Sequence, residues 1–458
     1  MLKAALKQIF GFTSFRPGQE EIITSVLQHQ NTLGILPTGT GKTLCYQLPT
    51  YMKQQPTLII SPLISLMDDQ VMQMKMKGEQ KVVAIHSGLE DAEKRLSIAK
   101  IKSSRFVFVS PEFILQPHYF NQFKNIPFGI VVLDEVHCLS EWGFDFRPHY
   151  ALIGKITQQF ENATVLALTA TATIHLQEDI EKVIQQPMHK IQFSMDRPNI
   201  ALSVELKSSH EEKVTWLIDK IAYSGPTIVY VSSKKVCLEL AQTIYQAGYL
   251  TGIYHGDLSY QERLTVQQQF LKNDIRIIVA TSAFGMGINK PDIRTVIHFH
   301  LSPSPSSYMQ EIGRAGRDGQ QSQAIALFQP DDQYLMETLA TGNIIREIDI
   351  QQYELGQLID SEIIEILDVL SEAFTLAQLR AIFKQNDEIK LRAFRHMHHY
   401  VLTQKCRRQH LLSYFQMPNE TVSQCCDRCE TIEPIYEKNK KKVKRKLDCS
   451  EKLENLFH

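Results

Sequence analysis

The sequence has no apolar run approaching the roughly 20 residues that a bilayer-crossing helix needs. It also lacks net charge: 49 Lys and Arg stand against 50 Asp and Glu, leaving −1. That excludes a uniformly basic coat for nucleic acid, but not a basic stripe inside a neutral total. Met1 to Phe10 has neither a continuous apolar segment nor a small-residue cleavage site. No signal peptide and no membrane association are therefore expected, and a cytoplasmic location is. Cysteine is scarce, with eight in 458 residues, and it is unevenly placed. Cys45, Cys138 and Cys237 are scattered and read as buried thiols. Cys406, Cys425, Cys426 and Cys429 cluster, which outside an oxidising compartment favours a metal over disulfides. Hydrophobic residues at 43% and charged residues at 22% exclude a mainly disordered or fibrous chain. The length suits two or three domains.

What is present first is an alternation. Short β-branched runs at Thr32–Leu36, Thr57–Ser61, Val82–His86, Phe106–Ser110, Ile130–Asp134 and Thr164–Leu168 are separated by amphipathic stretches. Unbroken runs such as Ile130-Val-Val-Leu133 suit strands buried on both faces of a parallel sheet. The pattern repeats at Thr227–Val231, Thr251–Tyr254, Ile275–Ala280, Thr295–His300 and Ala324–Phe328. Ser194–Ser209 reads as the crossover between two sheets, so the fold class is α/β with two parallel-sheet domains. After about Pro330 the strands stop. Ile344–Leu370, Leu376–Gln385 and Ile389–Phe415 read as helices, ahead of the cysteine cluster and a lysine-rich tail. The expected domains are 1–200, 201–335, 336–432 and a basic tail over 433–458.

Three motifs carry chemistry. Leu36-Pro-Thr-Gly-Thr-Gly-Lys-Thr43 follows a strand and opens a helix. Thr38, Gly39, Thr40 and Gly41 let the backbone wrap a phosphate, Lys42 would reach the terminal phosphates and Thr43 would hold Mg²⁺. The strict pattern wants Gly where Leu36 stands, so this is a variant form. Ile130–His137 ends a buried strand with Asp134, suited to Mg²⁺, and Glu135, suited to deprotonating the attacking water. In Gln310–Gly319, Arg314 and Arg317 sit at i and i+3 and are expected on one helix face. There they would stabilise charge on a transferred phosphoryl group.

With these motifs in order, the chain resembles the RecQ family of DNA helicases, within helicase superfamily two, from about Phe12 to Cys429. Phe12–Gln19 resembles the family's adenine-reading motif, which implies that Arg16 and Gln19 contact the base. Leu58–Gln70, Thr169–Ala172 and Ala280–Asp292 resemble further motifs of the family. Cys138–Pro148 resembles its aromatic-rich loop, which senses single-stranded DNA. Trp142, Phe144 and Phe146 would stack on bases, worth about 1–3 kcal/mol each, and Arg147 would add a phosphate or stacking contact. The family usually has His where Phe144 stands. Its zinc pattern is one Cys in an Arg-rich helix followed by Cys-x-x-Cys-x-x-Cys. Here one of those positions falls on Ser423, so Cys406, Cys425, Cys426 and Cys429 are the expected zinc ligands, with His410 in reserve.

The resemblance implies an ATP-dependent DNA helicase that uses ATP, Mg²⁺ and Zn²⁺. Nucleotide would bind between the two motor domains, and the chain would translocate 3′ to 5′ on single-stranded DNA in recombination and repair. Single-stranded and tailed or forked duplex DNA are the expected partners, and a monomer is the expected form. Fewer than 30 residues follow Cys429, so the winged-helix and further small helical domains of longer members are expected to be absent. An RNA helicase of the same superfamily, a DNA-dependent ATPase with little strand separation and a non-enzymatic DNA-binding relic are the alternatives. The neutral total conceals a split. Residues 331–386 hold 11 acidic and 3 basic side chains, whereas 387–446 hold 14 basic and 7 acidic.

Overall fold

The computed structural model of the chain describes residues 1–139, 148–284, 290–342, 345–357, 360–418, 422–435 and 437–439. They form two compact units, the described residues of 1–196 with 341–392, and those of 197–340 with 393–439.

The first unit is built on seven parallel strands: β1 (Thr32–Ile35), β2 (Thr57–Ile60), β3 (Val82–Ile85), β4 (Phe106–Val109), β5 (Ile130–Leu133), β6 (Thr164–Thr169) and β7 (His189–Gln192). Their order is β3-β4-β2-β5-β6-β1-β7. Strands β1, β2, β4, β5 and β6 are buried along their whole length, as their apolar runs require. Helices cover both faces, and an apolar core lies on each side. Strand β7 was not expected. His-Lys-Ile-Gln buries only Ile191, which is what an edge strand with one covered face tolerates. The order has a functional consequence. Strands β5, β6 and β1 are neighbours, so the segments leaving their carboxyl ends emerge side by side.

The second unit has six parallel strands: β8 (Ile200–Leu206), β9 (Thr227–Tyr230), β10 (Thr251–Tyr254), β11 (Ile277–Ala280), β12 (Thr295–His298) and β13 (Ser322–Phe328). Their order is β10-β11-β9-β12-β13-β8. The segment expected as a plain crossover thus contains an edge strand. Its amino-terminal half is buried and its carboxyl half is open, which blurs the alternation.

The helical region departs further from expectation. Glu347–Glu354 and Ser361–Ser371 are separate helices, and Leu376–Leu402 is one continuous helix that passes from one unit to the other. Residues 341–392 join the first unit because Ile345, Ile350, Ile366, Leu370, Leu379 and Phe383 close a small core around Ala151. Residues 393–439 pack on the second sheet instead. The Tyr400 and Tyr308 hydroxyls meet at 3.1 Å. The module expected over 336–432 is therefore shared between two cores. The expected tail also begins too early at 433. Asn439 is buried, and its Nδ2 donates to the Ile221 and Gly225 carbonyls at 2.7 and 2.9 Å. Among the described residues, no helix is long and apolar enough to cross a membrane.

Candidate functional site

The loop after β1 turns on Gly39 and Gly41, whose φ angles of 80° and 77° lie in the left-handed region that glycine accepts freely. It delivers Lys42 and Thr43 to the start of the helix Leu44–Lys53. Leu36 fills the place where a glycine is usual. It is fully buried, and its N–H donates to the Thr169 carbonyl at 3.1 Å. Space for it comes from Gly18, where a Cβ would lie 2.3 Å from the Leu36 side chain. The departure thus buys core packing without touching the part of the loop that wraps.

Gln19 and Arg16 reach the same loop. Gln19 Nε2 donates to the Thr40 and Gly41 carbonyls at 2.7 and 3.1 Å, and its Oε1 accepts from the Arg16 N–H at 2.9 Å. The Arg16 guanidinium donates to the Gly39 carbonyl. In this structure both residues therefore brace the loop backbone.

Lys42 Nζ lies 3.4 Å from Glu135 Oε2. Glu135 stands just beyond β5 at φ 51°, a backbone state that non-glycine residues adopt only when the surroundings hold them there. Asp134 is 4% exposed. Its Oδ2 accepts from Gln70 Nε2 at 3.4 Å, and Gln70 Oε1 accepts from the Tyr46 hydroxyl at 2.7 Å. Burial, and then the Glu135 carboxylate, push the Asp134 carboxyl up. Burial also opposes ionisation of Glu135, but Lys42 and His137 outweigh it and hold that carboxyl low. A low carboxylate beside Lys42 stays ionised, able to accept a proton.

His137 was not among the expected site residues. Its Nδ1 lies 3.3 Å from Glu135 Oε2 and 3.2 Å from Thr169 Oγ1. Thr169 Oγ1 in turn donates to the Thr171 carbonyl at 2.8 Å. One imidazole therefore bridges the carboxylate after β5 and the Thr169–Ala172 segment after β6. The available signal was its place at the end of the Ile130–His137 run.

In the second unit the helix Pro305–Ile312 stops at Gly313. Arg314 and Arg317 lie in the turn that follows, which corrects the expectation of a shared helix face. Gly316 at φ 54° breaks the helical path between them. Arg314 is buried and bonds to Tyr230. Burial, then Arg314, then Arg197 lower the Arg317 guanidinium to about 9. Three gathered guanidinium groups form a locus suited to an anion.

The four cluster sulfurs of Cys406, Cys425, Cys426 and Cys429 lie within 4.8 Å of one another. The sulfur–sulfur separations are 3.7 Å for Cys406–Cys425, 4.0 Å for Cys406–Cys426 and 3.5 Å for Cys426–Cys429. A tetrahedral zinc with bonds of about 2.3 Å would space its sulfurs by about 3.8 Å, so the set fits that ion. Gln424 at φ 53° turns the chain so that Cys425 enters, while Ser423 stays exposed. The Arg407 and Gln409 N–H groups donate to the Cys426 and Cys406 sulfurs at 3.4 and 3.5 Å. His410 turns elsewhere. Its ring stacks on His396 at 4.0 Å, and Nε2 bonds the His396 carbonyl at 2.9 Å. Trp142, Phe144, Phe146 and Arg147 lie outside the described residues, as do positions 285–289 of the Ala280–Asp292 motif.

Comparison with known proteins agrees with this arrangement. Residues 16–180 match the DEAD/DEAH box helicase family, 211–319 the helicase conserved C-terminal domain, and 368–430 the RecQ zinc-binding family. The probable ATP-dependent DNA helicase RecS of Bacillus subtilis is 37% identical over 97% of this chain and 95% of its own. The ATP-dependent DNA helicase RecQ of Haemophilus influenzae is 34% identical over 93% of this chain, which spans only 63% of that protein. Among solved structures, the DUF1998 helicase MrfA bound to DNA and AMPPNP superposes with a TM-score of 0.62 at 21% identity. It covers 74% of this chain and 52% of that one, a likeness of fold.

Proposed function

Because the chain belongs to the RecQ family of ATP-dependent DNA helicases, we propose that it hydrolyses ATP to move 3′ to 5′ along single-stranded DNA and to separate tailed or forked duplexes. The reading extends to recombination and repair and to a monomer as the working form. The observation that carries it is the Lys42–Glu135 pair, held at 3.4 Å on loops that leave β1 and β5 on either side of β6.

In this reading Thr38, Gly39, Thr40 and Gly41 wrap the phosphates with backbone N–H groups, and Lys42 neutralises their charge. Arg16 and Gln19 read the base next to the loop they brace. Thr43 and Asp134 hold Mg²⁺, which when bound screens the phosphate oxygens. Glu135 accepts the proton of the attacking water, and His137 keeps its carboxylate aimed. Arg314 and Arg317 stabilise charge on the transferred phosphoryl group. Cys406, Cys425, Cys426 and Cys429 hold a structural Zn²⁺. Trp142, Phe144, Phe146 and Arg147 stack on and grip single-stranded DNA.

Strand separation on 3′-tailed, 5′-tailed and forked DNA tests the reading, with RNA duplexes of the same form as a parallel arm. ATP-dependent opening of 3′-tailed and forked DNA is expected. ATPase without separation of any substrate would leave a translocase, and stimulation by RNA alone would transfer the activity to RNA. Size-exclusion chromatography with light scattering tests the monomer.

A further inference from the structure

The arginine turn draws part of its support from outside itself. After the helix Pro305–Ile312 ends, the chain continues through turns over 313–318 and a bend at Gly319 to Gln320. Four of the eight carbonyls of 313–320, those of Gly313, Ala315, Gly316 and Gln320, accept from two side chains that lead into β8. The Arg197 guanidinium donates to the Gly313, Ala315 and Gly316 carbonyls at 3.1, 3.0 and 2.6 Å. Asn199 Nδ2 donates to the Gly316 and Gln320 carbonyls, both at 2.8 Å. The contact at Gly316 is close, since a Cβ there would lie 2.4 Å from Asn199 Nδ2.

Arg197 and Asn199 are themselves held from behind. Arg408, 2% exposed, donates to the Arg197 carbonyl at 3.1 Å, to the Ile200 carbonyl, and to the Cys425 carbonyl at 3.4 Å. The cysteine loop also extends the edge of the sheet at β8. The Leu202 N–H donates to the Cys425 carbonyl at 3.2 Å, and the Asp427 N–H donates to the Leu202 carbonyl at 3.0 Å.

We propose that Arg197 and Asn199 are positioning residues for ATP hydrolysis, holding Arg314 and Arg317 in place through the turn carbonyls, with the cysteine loop and Arg408 as their backing. The proposal rests on the reading that Arg314 and Arg317 act on the transferred phosphoryl group. Its physical basis is like-charge repulsion. Arg197, Arg314 and Arg317 bring three positive charges together. Without directed acceptors, the turn would relax to spread them. Carbonyls fix the first arginine, and they leave the turn only one conformation in which to present the other two.

The test is ATP hydrolysis by the full chain with single-stranded DNA, with kcat and KM for ATP measured separately. Arg317→Ala is expected to lose about 10³-fold in kcat. Arg197→Ala is expected to lose on the order of 10²-fold in kcat, with KM changed by less than about threefold, because a displaced group costs turnover rather than binding. The triple variant Arg197→Ala/Arg314→Ala/Arg317→Ala should fall no lower than Arg314→Ala/Arg317→Ala, since Arg197 acts through those two residues. Arg197→Lys should recover only part of the loss, because an ammonium cannot fork across three carbonyls. Asn199→Ala, which keeps Arg197, is the second probe should Arg197→Ala fail to fold. It should lower kcat by about tenfold at an unchanged melting temperature. A further multiplicative loss on adding Arg197→Ala to Arg314→Ala/Arg317→Ala would overturn the proposal, as would wild-type kcat in Arg197→Ala or in Asn199→Ala. Wild-type kcat in Arg317→Ala would instead overturn the reading on which the proposal rests.

Discussion

The two units hold the charged groups of their candidate sites in opposite ways. In the first, Lys42 faces Glu135 at 3.4 Å, and each charge is satisfied by its neighbour. In the second, Arg197, Arg314 and Arg317 gather with the same sign, and backbone carbonyls hold the one that anchors the turn. A mutual ion pair needs little scaffold beyond two strand ends. A cluster of like charges needs a rigid one, and here β8, Arg408 and the cysteine loop supply it. The first site accordingly needs only the ends of β1 and β5, on either side of β6 in one sheet, whereas the second recruits residues about 200 positions apart.

The largest expected effect strikes the first unit. Glu135→Gln keeps the shape of the loop and removes the proton acceptor. Its kcat should fall about 10³-fold while nucleotide affinity holds, read by DNA-stimulated ATPase and by fluorescent-nucleotide binding. Next comes Leu36→Gly, which restores the stricter loop pattern. It should nonetheless destabilise the first unit by about 3–4 kcal/mol, because it empties a core position, and urea unfolding would show a lower midpoint. A stability equal to wild type would mean that the loop, not the core, sets the residue there.

In the second unit, Cys426→Ser should weaken zinc retention by at least about 100-fold, measured by competition with a chelator. It should also expose 393–439 to limited proteolysis, since that segment anchors through the cysteine loop. The smallest effect is a pH dependence. Burial, then Lys213 and His210, lower His300 to about 3, and its Nδ1 accepts the Ser232 N–H at 3.2 Å. The folded ring stays neutral while the unfolded ring binds a proton below about 6.5. Stability of the second unit should therefore fall as pH drops through 6.5 toward 3, by no more than about 1.4 kcal/mol per pH unit from this group. The check is urea unfolding at pH 7 and pH 5, with His300→Gln losing that slope.

Much of this was readable along the chain. The buried strands announced themselves because a parallel sheet covered on both faces demands unbroken apolar runs, as in Ile130–Leu133. The phosphate loop and the paired carboxylates were readable because their chemistry is carried by neighbours in sequence. Edge strands were harder. β7 buries one residue in four, and β8 opens along its second half, so neither shows a full apolar period. The helix Leu376–Leu402 was expected as two pieces, because its apolar positions serve two different cores at its two ends.

Local pattern therefore specified the α/β class, the two sheets and the residues within each motif, since hydrophobic period and backbone propensity act over a few positions. Folding in three dimensions decided the rest. It brought Cys425, already expected as a ligand, beside Cys406 through one positive φ at Gln424. It carried His137 from β5 to Thr169 of β6. It broke the expected arginine helix at Gly316 and placed Arg197 and Arg408 behind the turn. Each of these depends on a hydrogen bond or a backbone state selected by distant partners, and no local period records such a choice.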